Sequence, residues 1–174
     1  MKSNIAAAAI LISLFLSGCA TRPPLETIPS VDLKRYAGTW YEIAKFPNWF
    51  QRGCASDTRA EYSLNSDGSM KIVNSCRTKN GDSKTALGRA TVVPGSNNTK
   101  LSVNFGGPIG GAYWIIGLDE KNYSWALVGH PSRKFLWILS REPRLSPATY
   151  RQIVELAGKR GYDVSKIELT PQSR

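Results

Sequence analysis

Residues 38–46 read "GTWYEIAKF", and Trp49, Phe50 and Cys54 follow within a few positions. A strand sends successive side chains to opposite faces. Trp40, Glu42, Ala44 and Phe46 then share one face, and Tyr41, Ile43 and Lys45 the other. Large apolar groups stand on both. A strand with one wet face does not account for this pattern; a strand covered on both sides does.

Outward from this stretch, the chain is a series of short apolar runs broken by turn signals. "ASDTRAEYSL" (55–64) leads through "NSDG" into "SMKIVNSC" (69–76). "KNGD" (79–82) precedes "SKTALGRATVV", and "PGSNNT" precedes "KLSVNF". In "KLSVNF", Leu101, Val103 and Phe105 alternate with Lys100, Ser102 and Asn104. "GGPIGG", "DEKN" and "HPSRK" then separate "AYWIIGL", "YSWALVG" and "FLWILSR". That makes eight strands on short loops. One helix comes next: Ser146 is an N-cap, Pro147 fits the first turn, and Tyr150, Ile153, Val154 and Ala157 form one apolar stripe before Gly161. "DVSKIEL" (163–169) reads as a last short strand. The expected fold is all-β, an eight-stranded up-and-down antiparallel β-barrel with the C-terminal α-helix packed outside; a β-sandwich is the other all-β arrangement.

The N-terminus is a targeting segment. Lys2 precedes the apolar run "IAAAAILISLFL" (5–16), which is shorter than the roughly 20 residues needed to span a bilayer. "LSGC" (16–19) then resembles the bacterial lipoprotein signal, which implies lipid attachment at Cys19. Ala20, where some lipoproteins carry Asp, points by the same resemblance to the outer membrane. Residues 1–18 are expected to be signal peptide, 19–30 a flexible tether and 31–170 the barrel domain.

The chain has 174 residues, 41% of them hydrophobic, and a formal charge of +10. One domain with a proper core is expected, with a surface suited to anionic partners. No dense basic helix or basic run interleaved with aromatics is present, so no nucleic-acid partner is expected. Beyond Cys19 only Cys54 and Cys76 remain, and His130 is the only histidine, so no metal site and no cofactor are expected. In an oxidising compartment the two cysteines suggest one disulfide, which closes a loop worth about 3 kcal/mol; two free thiols are the alternative.

"GTWYEIAKF" resembles the first lipocalin signature, Gly38-x-Trp40. Asp119 and Tyr123 in "LDEKNYSW" match the second, and Arg141 in "FLWILSREP" the third. The ordered set runs from about Val31 to Leu169 and is most similar to the apolipoprotein D-like group and to bacterial lipoprotein lipocalins. "YSWALV" carries extra residues after Asp119 and leaves the register of the seventh strand open. The resemblance implies that Arg141 packs over Trp40 at the closed end, so both are structural. It also implies a ligand contact at Trp137, matches Tyr62 and Asn74 to pocket positions, and makes a homodimer unsurprising.

Parity places Phe135, Trp137 and Leu139 on the same inward face as Arg141. Tyr113, Leu101, Val103 and Phe105 are further candidate lining, and Phe46, Trp49 and Phe50 are assigned to the mouth with Ile109. Arg52, Lys79, Arg133 and Lys134 give the mouth a basic rim. An apolar throat with such a rim suits a fatty acid or lysophospholipid held near the outer membrane, for lipid storage, transport or membrane maintenance. An enzyme on a lipophilic substrate is the second reading. It has little support, since His130 stands alone and no Gly-x-Ser-x-Gly elbow occurs. Glu42, sharing a face with Trp40, is the one carboxylate expected inside, with its pKa raised. A structural lipoprotein with a filled barrel is the third.

Overall fold

A computed structural model of the chain describes residues 22–107 and 110–173. The signal segment, Cys19 and Ile109 lie outside the described residues. The strands are β1 (Gly38–Lys45), β2 (Ser56–Leu64), β3 (Met70–Arg77), β4 (Ser83–Val92), β5 (Lys100–Asn104), β6 (Gly111–Leu118), β7 (Trp125–Gly129) and β8 (Leu136–Ser140). Each pairs antiparallel with the next, and β1 pairs with both β8 and β2, so the sheet closes on itself. This is the up-and-down barrel, not the sandwich. A short helix, α1 (Leu33–Tyr36), precedes β1, and helix α2 (Pro147–Lys159) comes after β8, with the Ser146 side chain accepting from the Thr149 N–H as its cap.

Two separate apolar clusters account for a first strand that is greasy on both faces. Trp40, Tyr62, Met70, Ile72, Leu101 and Ile115 belong to the cluster inside the barrel. Ile43, Ile138, Leu127, Ile153 and Ala157 belong to the cluster outside it, against which Tyr41, Tyr150 and Val154 also pack. The helix therefore lies over β1 and its neighbours as its stripe predicts. Fully burying a side chain such as Ile153 contributes about 1.5–3 kcal/mol.

The alternation of β1 breaks once. The register against β8 shifts between Glu42 and Ala44. Such a bulge adds a residue and re-aims the side chains beyond it. Ala44 and Phe46 consequently join the outer cluster, and the Phe46 ring meets Tyr162 edge-on at 5.7 Å. The assignment of Phe46 to the mouth is thus corrected. A second bulge, in β6 between Ile115 and Gly117, sets β7 so that Ile115 opposes Val128 and Leu118 opposes Ala126. This settles the register of the seventh strand.

Of the tether expected over 19–30, the part from residue 23 onward is packed against the barrel. Pro23 accepts from the Arg133 guanidinium at 2.8 Å, Leu25 is buried in the outer cluster, and the Ile28 N–H bonds to the Ile115 carbonyl at 3.2 Å. This segment runs from the mouth end to the closed end, where α1 is capped by the Asp32 carboxylate. Four residues are too few to show a helical period, so this helix leaves no mark in the spacing of the sequence.

The closed end is built around Arg141. Its guanidinium carbon lies 3.9 Å from the Trp40 ring centroid. It donates to the carbonyls of Thr39 at 2.8 Å, Arg35 at 2.6 Å and Ala37 at 2.9 Å, so it caps the C-terminal end of α1. Gly38 has φ +97°, and a Cβ there would sit 3.2 Å from an Arg141 nitrogen, so this glycine is needed twice over. Asp119 accepts from Ser124 Oγ at 2.5 Å, and the Tyr123 hydroxyl accepts from the Asp32 N–H at 3.0 Å. All three sequence motifs meet at this floor.

The mouth half carries a seam. β1 and β2 pair only from Gly38↔Tyr62 to Tyr41↔Arg59. Beyond that, the short strand β9 (Glu168–Leu169) pairs with β1, and the tail after it lies between the two strands. The Gln172 side-chain amide donates to the carbonyls of both Glu42 and Thr58, at 2.8 and 2.9 Å. At the mouth, Cys54 before β2 and Cys76 on the adjacent β3 form a disulfide with Cα atoms 5.6 Å apart.

Candidate functional site

The lower barrel is packed almost solid. Tyr36, Tyr62, Met70, Ile72, Leu101 and Tyr113 are among the residues that surround a void of about 10 Å³, and Val103 and Ala90 complete its wall. That is room for about one water. Leu139 is buried in the same inner cluster. Among the expected lining residues, Tyr62, Tyr113, Leu101, Val103 and Leu139 therefore make the floor. The Tyr113 hydroxyl stands 2.7 Å from that of Tyr36 and 3.2 Å from that of Tyr62. Burial pushes the Tyr62 phenol up to about 12 and raises those of Tyr36 and Tyr113 well above their ordinary value, so all three stay protonated.

Above the floor one wall is aromatic. Phe135 and Trp137 lie nearly parallel, 6.1 Å apart, and Phe50 closes on both at 5.8 and 6.3 Å. Opposite, the middle of β4 turns small side chains inward: Ala86 and Gly88 oppose Asn74 and Ile72. Phe105 packs over Gly88, where a Cβ would meet its ring at 2.6 Å. Ala86 and Phe105 are both exposed, so the upper barrel is open to solvent. Trp49, expected beside Phe50 in the pocket, is instead 71% exposed and stands edge-to-face with Phe50 at 5.6 Å. Outside the wall an open groove of about 460 Å³ is bounded by Lys45, Trp49, Arg52, Phe135 and Glu168.

A chain of hydrogen bonds fixes the wall. The Trp137 indole N–H donates to Gln51 Oε1 at 3.1 Å, and the Gln51 amide donates to Glu42 Oε2 at 2.6 Å. Thr170 in the tail donates to the other Glu42 oxygen at 2.6 Å. Gln51 belongs to a single 3₁₀ turn (Trp49–Gln51) whose cap is the Asn48 side chain. Glu42 is buried, as its parity with Trp40 predicts. Burial raises its pKa, opposed by the bonds from Thr170 and Gln51 and by the Lys45 charge. Gln51 and Thr170 carry no signal in the sequence, because neither belongs to a periodic run.

The basic rim differs from expectation in its members. Arg52, Lys79 and Lys134 are exposed. Arg133 is spent on backbone carbonyls, those of Pro23 and of Arg160 at 2.7 Å. Lys84 is an added member: it opposes Cys76 on the inward face of β4 and is exposed. His130 holds Ser132 through Nδ1 at 2.8 Å, and burial together with Lys134 lowers its pKa.

Comparison with known proteins fits this geometry. A lipocalin-like domain model matches residues 31–172. The chain is 42% identical over 157 residues to temperature-induced lipocalin-1 of Arabidopsis thaliana, covering 86% of this chain and 83% of that protein. It is 36% identical over 160 residues to the outer membrane lipoprotein Blc of Vibrio cholerae, covering 91% and 93%. Among solved structures, insecticyanin of the tobacco hornworm Manduca sexta superposes with a TM-score of 0.70 over 87% of this chain and 86% of that one, at 24% identity.

Proposed function

The chain belongs to the lipocalin family, and from that premise we propose that it binds one acyl-chain amphiphile, a fatty acid or a lysophospholipid, in the upper half of its barrel. The observation that carries this reading is the open upper calyx. It has an aromatic wall of Phe50, Phe135 and Trp137 on one side, with Ala86 and the Phe105 ring over Gly88 on the other. An acyl chain fills such a slot, and the lysines and Arg52 at the rim suit an anionic head. A sixteen-carbon chain gains on the order of 10 kcal/mol by leaving water, before ordering costs.

The proposed place of action is the outer membrane, with Cys19 lipidated and the barrel on the periplasmic side; the likeness to outer membrane lipoproteins supports it. Residue 23 lies at the mouth end, held by Arg133. Four residues span at most about 14 Å, so an anchor at Cys19 keeps the mouth close to the lipid surface. Storage, transfer and membrane maintenance are all served by that position. No catalytic step is proposed: the Glu42 carboxylate already accepts from Gln51 and Thr170.

The test is native mass spectrometry of the intact chain after gentle extraction, with and without added lysophospholipid. A bound acyl species, lost in Trp137→Arg, is the expected result. Absence of any bound species under both conditions sinks the binding reading in favour of a filled barrel.

A further inference from the structure

The segment after β9 belongs to no strand, yet it reaches the ligand wall. The Thr170 hydroxyl donates to Glu42 Oε1 at 2.6 Å, and the Gln51 amide donates to the other carboxylate oxygen at 2.6 Å. A donor on each oxygen fixes the plane of a carboxylate; a single donor leaves it free to turn. As a carboxylate, Glu42 only accepts. It therefore holds the Gln51 NH2 toward itself and directs Gln51 Oε1 away. That oxygen accepts from the Trp137 indole N–H at 3.1 Å and from the Asn48 amide at 2.5 Å. With the Gln51 amide reversed, its NH2 would face both of those donors. The orientation of Trp137 thus depends on a relay that begins at Thr170.

The same segment is lightly held. None of residues 168–173 is buried. Its contacts with the barrel are polar. The Thr170 N–H donates to the Ile43 carbonyl at 2.9 Å, and the Pro171 carbonyl accepts from the Asp57 N–H at 2.9 Å. Asp57 stands at the irregularity of β2 with φ +53°, in the left-handed region that favours glycine. The Ser173 N–H and hydroxyl donate to its two carboxylate oxygens at 2.6 and 2.9 Å and keep it there. A segment held by polar bonds, with no buried residue, opens locally while the barrel stays folded.

We infer that Thr170 is a positioning residue of the acyl site. By seating Glu42 it sets Gln51 and hence Trp137, so docking of residues 170–173 and binding of an acyl chain against the aromatic wall strengthen one another. The coupling is reciprocal: the factor by which the docked segment tightens the ligand is the factor by which the ligand tightens the segment. This role rests on the acyl-binding reading of the calyx.

The test pairs displacement of a fluorescent fatty acid by hexadecanoic acid with amide hydrogen exchange, both on the intact chain in lipid nanodiscs. Thr170→Val keeps the shape of the side chain and removes its hydroxyl, whereas Thr170→Ser keeps the hydroxyl. Thr170→Val should weaken hexadecanoic acid about fivefold, and Thr170→Ser should stay within about twofold of wild type. Saturating hexadecanoic acid should slow exchange over residues 55–58 and 168–173 by the same factor in wild type and Thr170→Ser, but not in Thr170→Val. Slow exchange of the Arg141 N–H, bonded to the Ser124 carbonyl at the floor, reports that each variant is folded. If Thr170→Val binds like wild type, or if exchange of the segment ignores the ligand in wild type, the coupling is overturned and the binding reading stands. Equal weakening by Thr170→Val and Thr170→Ser overturns it as well, because the hydroxyl is then not the link. If hexadecanoic acid displaces nothing from wild type, both readings fall together.

Discussion

Arg141 and Trp40 are joined face to face at the floor, with the guanidinium carbon 3.9 Å from the ring centroid and its nitrogens fanned onto the end of α1. The pair closes the barrel and stands apart from the open calyx. Arg141→Lys keeps the charge but loses the fork that reaches Thr39, Arg35 and Ala37 together. It should lower unfolding stability by about 2–3 kcal/mol in urea titrations, with acyl affinity in the folded fraction unchanged.

The two exposed mouth aromatics should behave differently. Phe50 closes on Phe135 and Trp137, whereas Trp49 projects outward. Phe50→Ala should weaken acyl binding about tenfold in a displacement titration. Trp49→Ala should leave it within about twofold. Equal effects would mean that Trp49 turns into the calyx on binding.

Glu42 makes stability depend on pH in a definite direction. Its pKa is higher folded than unfolded, because burial outweighs the bonds from Thr170 and Gln51. The folded state therefore holds the proton more tightly. That contribution is complete below the ordinary glutamate range and is lost as pH rises through the folded value. Glu42→Gln, which stays neutral, should melt at a higher temperature than wild type at pH 8, and the gap should close as pH falls toward 4. A gap constant with pH would refute this assignment.

The Cys54–Cys76 bridge fixes the start of β2 to the mouth end of β3 across a separation of 22 residues. Cys54→Ser/Cys76→Ser should cost about 3 kcal/mol by calorimetry or denaturant titration. The Trp40–Arg141 floor should remain intact, since it lies at the far end.

Much of this architecture is carried by local sequence. The strand count, the helix stripe and the two coverings of β1 are periodic features, and Tyr41 and Ile43 share the outer cluster with Tyr150 and Ile153 accordingly. The disulfide and the Trp40–Arg141 contact are legible through compartment, motif and spacing. Phe46 is not, because its direction depends on a bulge between Glu42 and Ala44. Leu25 and Ile28 are hidden in a Pro-containing stretch that reads as linker but packs on the wall. Within the site, the inward residues of β8 are given by parity, but their division into floor, wall and rim is not. That division depends on side-chain depth. The Glu42–Gln51–Trp137 chain is tertiary, joining three segments with no shared pattern.

The seam beside β1 has a mechanical consequence. A ring of strands joined everywhere by backbone ladders has a fixed circumference. Here the ladder between β1 and β2 stops at Tyr41↔Arg59, and a side-chain amide, that of Gln172, bridges the gap above it. The lower ring is closed by a strand ladder, while the upper ring is closed by the C-terminal tail, which holds β1 through the β9 pairing and the Thr170 N–H to Ile43 bond, and β2 through the Asp57 N–H to Pro171 bond and the Gln172 amide. The barrel thus has a base closed by its own strands and a rim closed by its C-terminus, so that widening the rim requires the tail to move, whereas the Arg141 floor is closed without it.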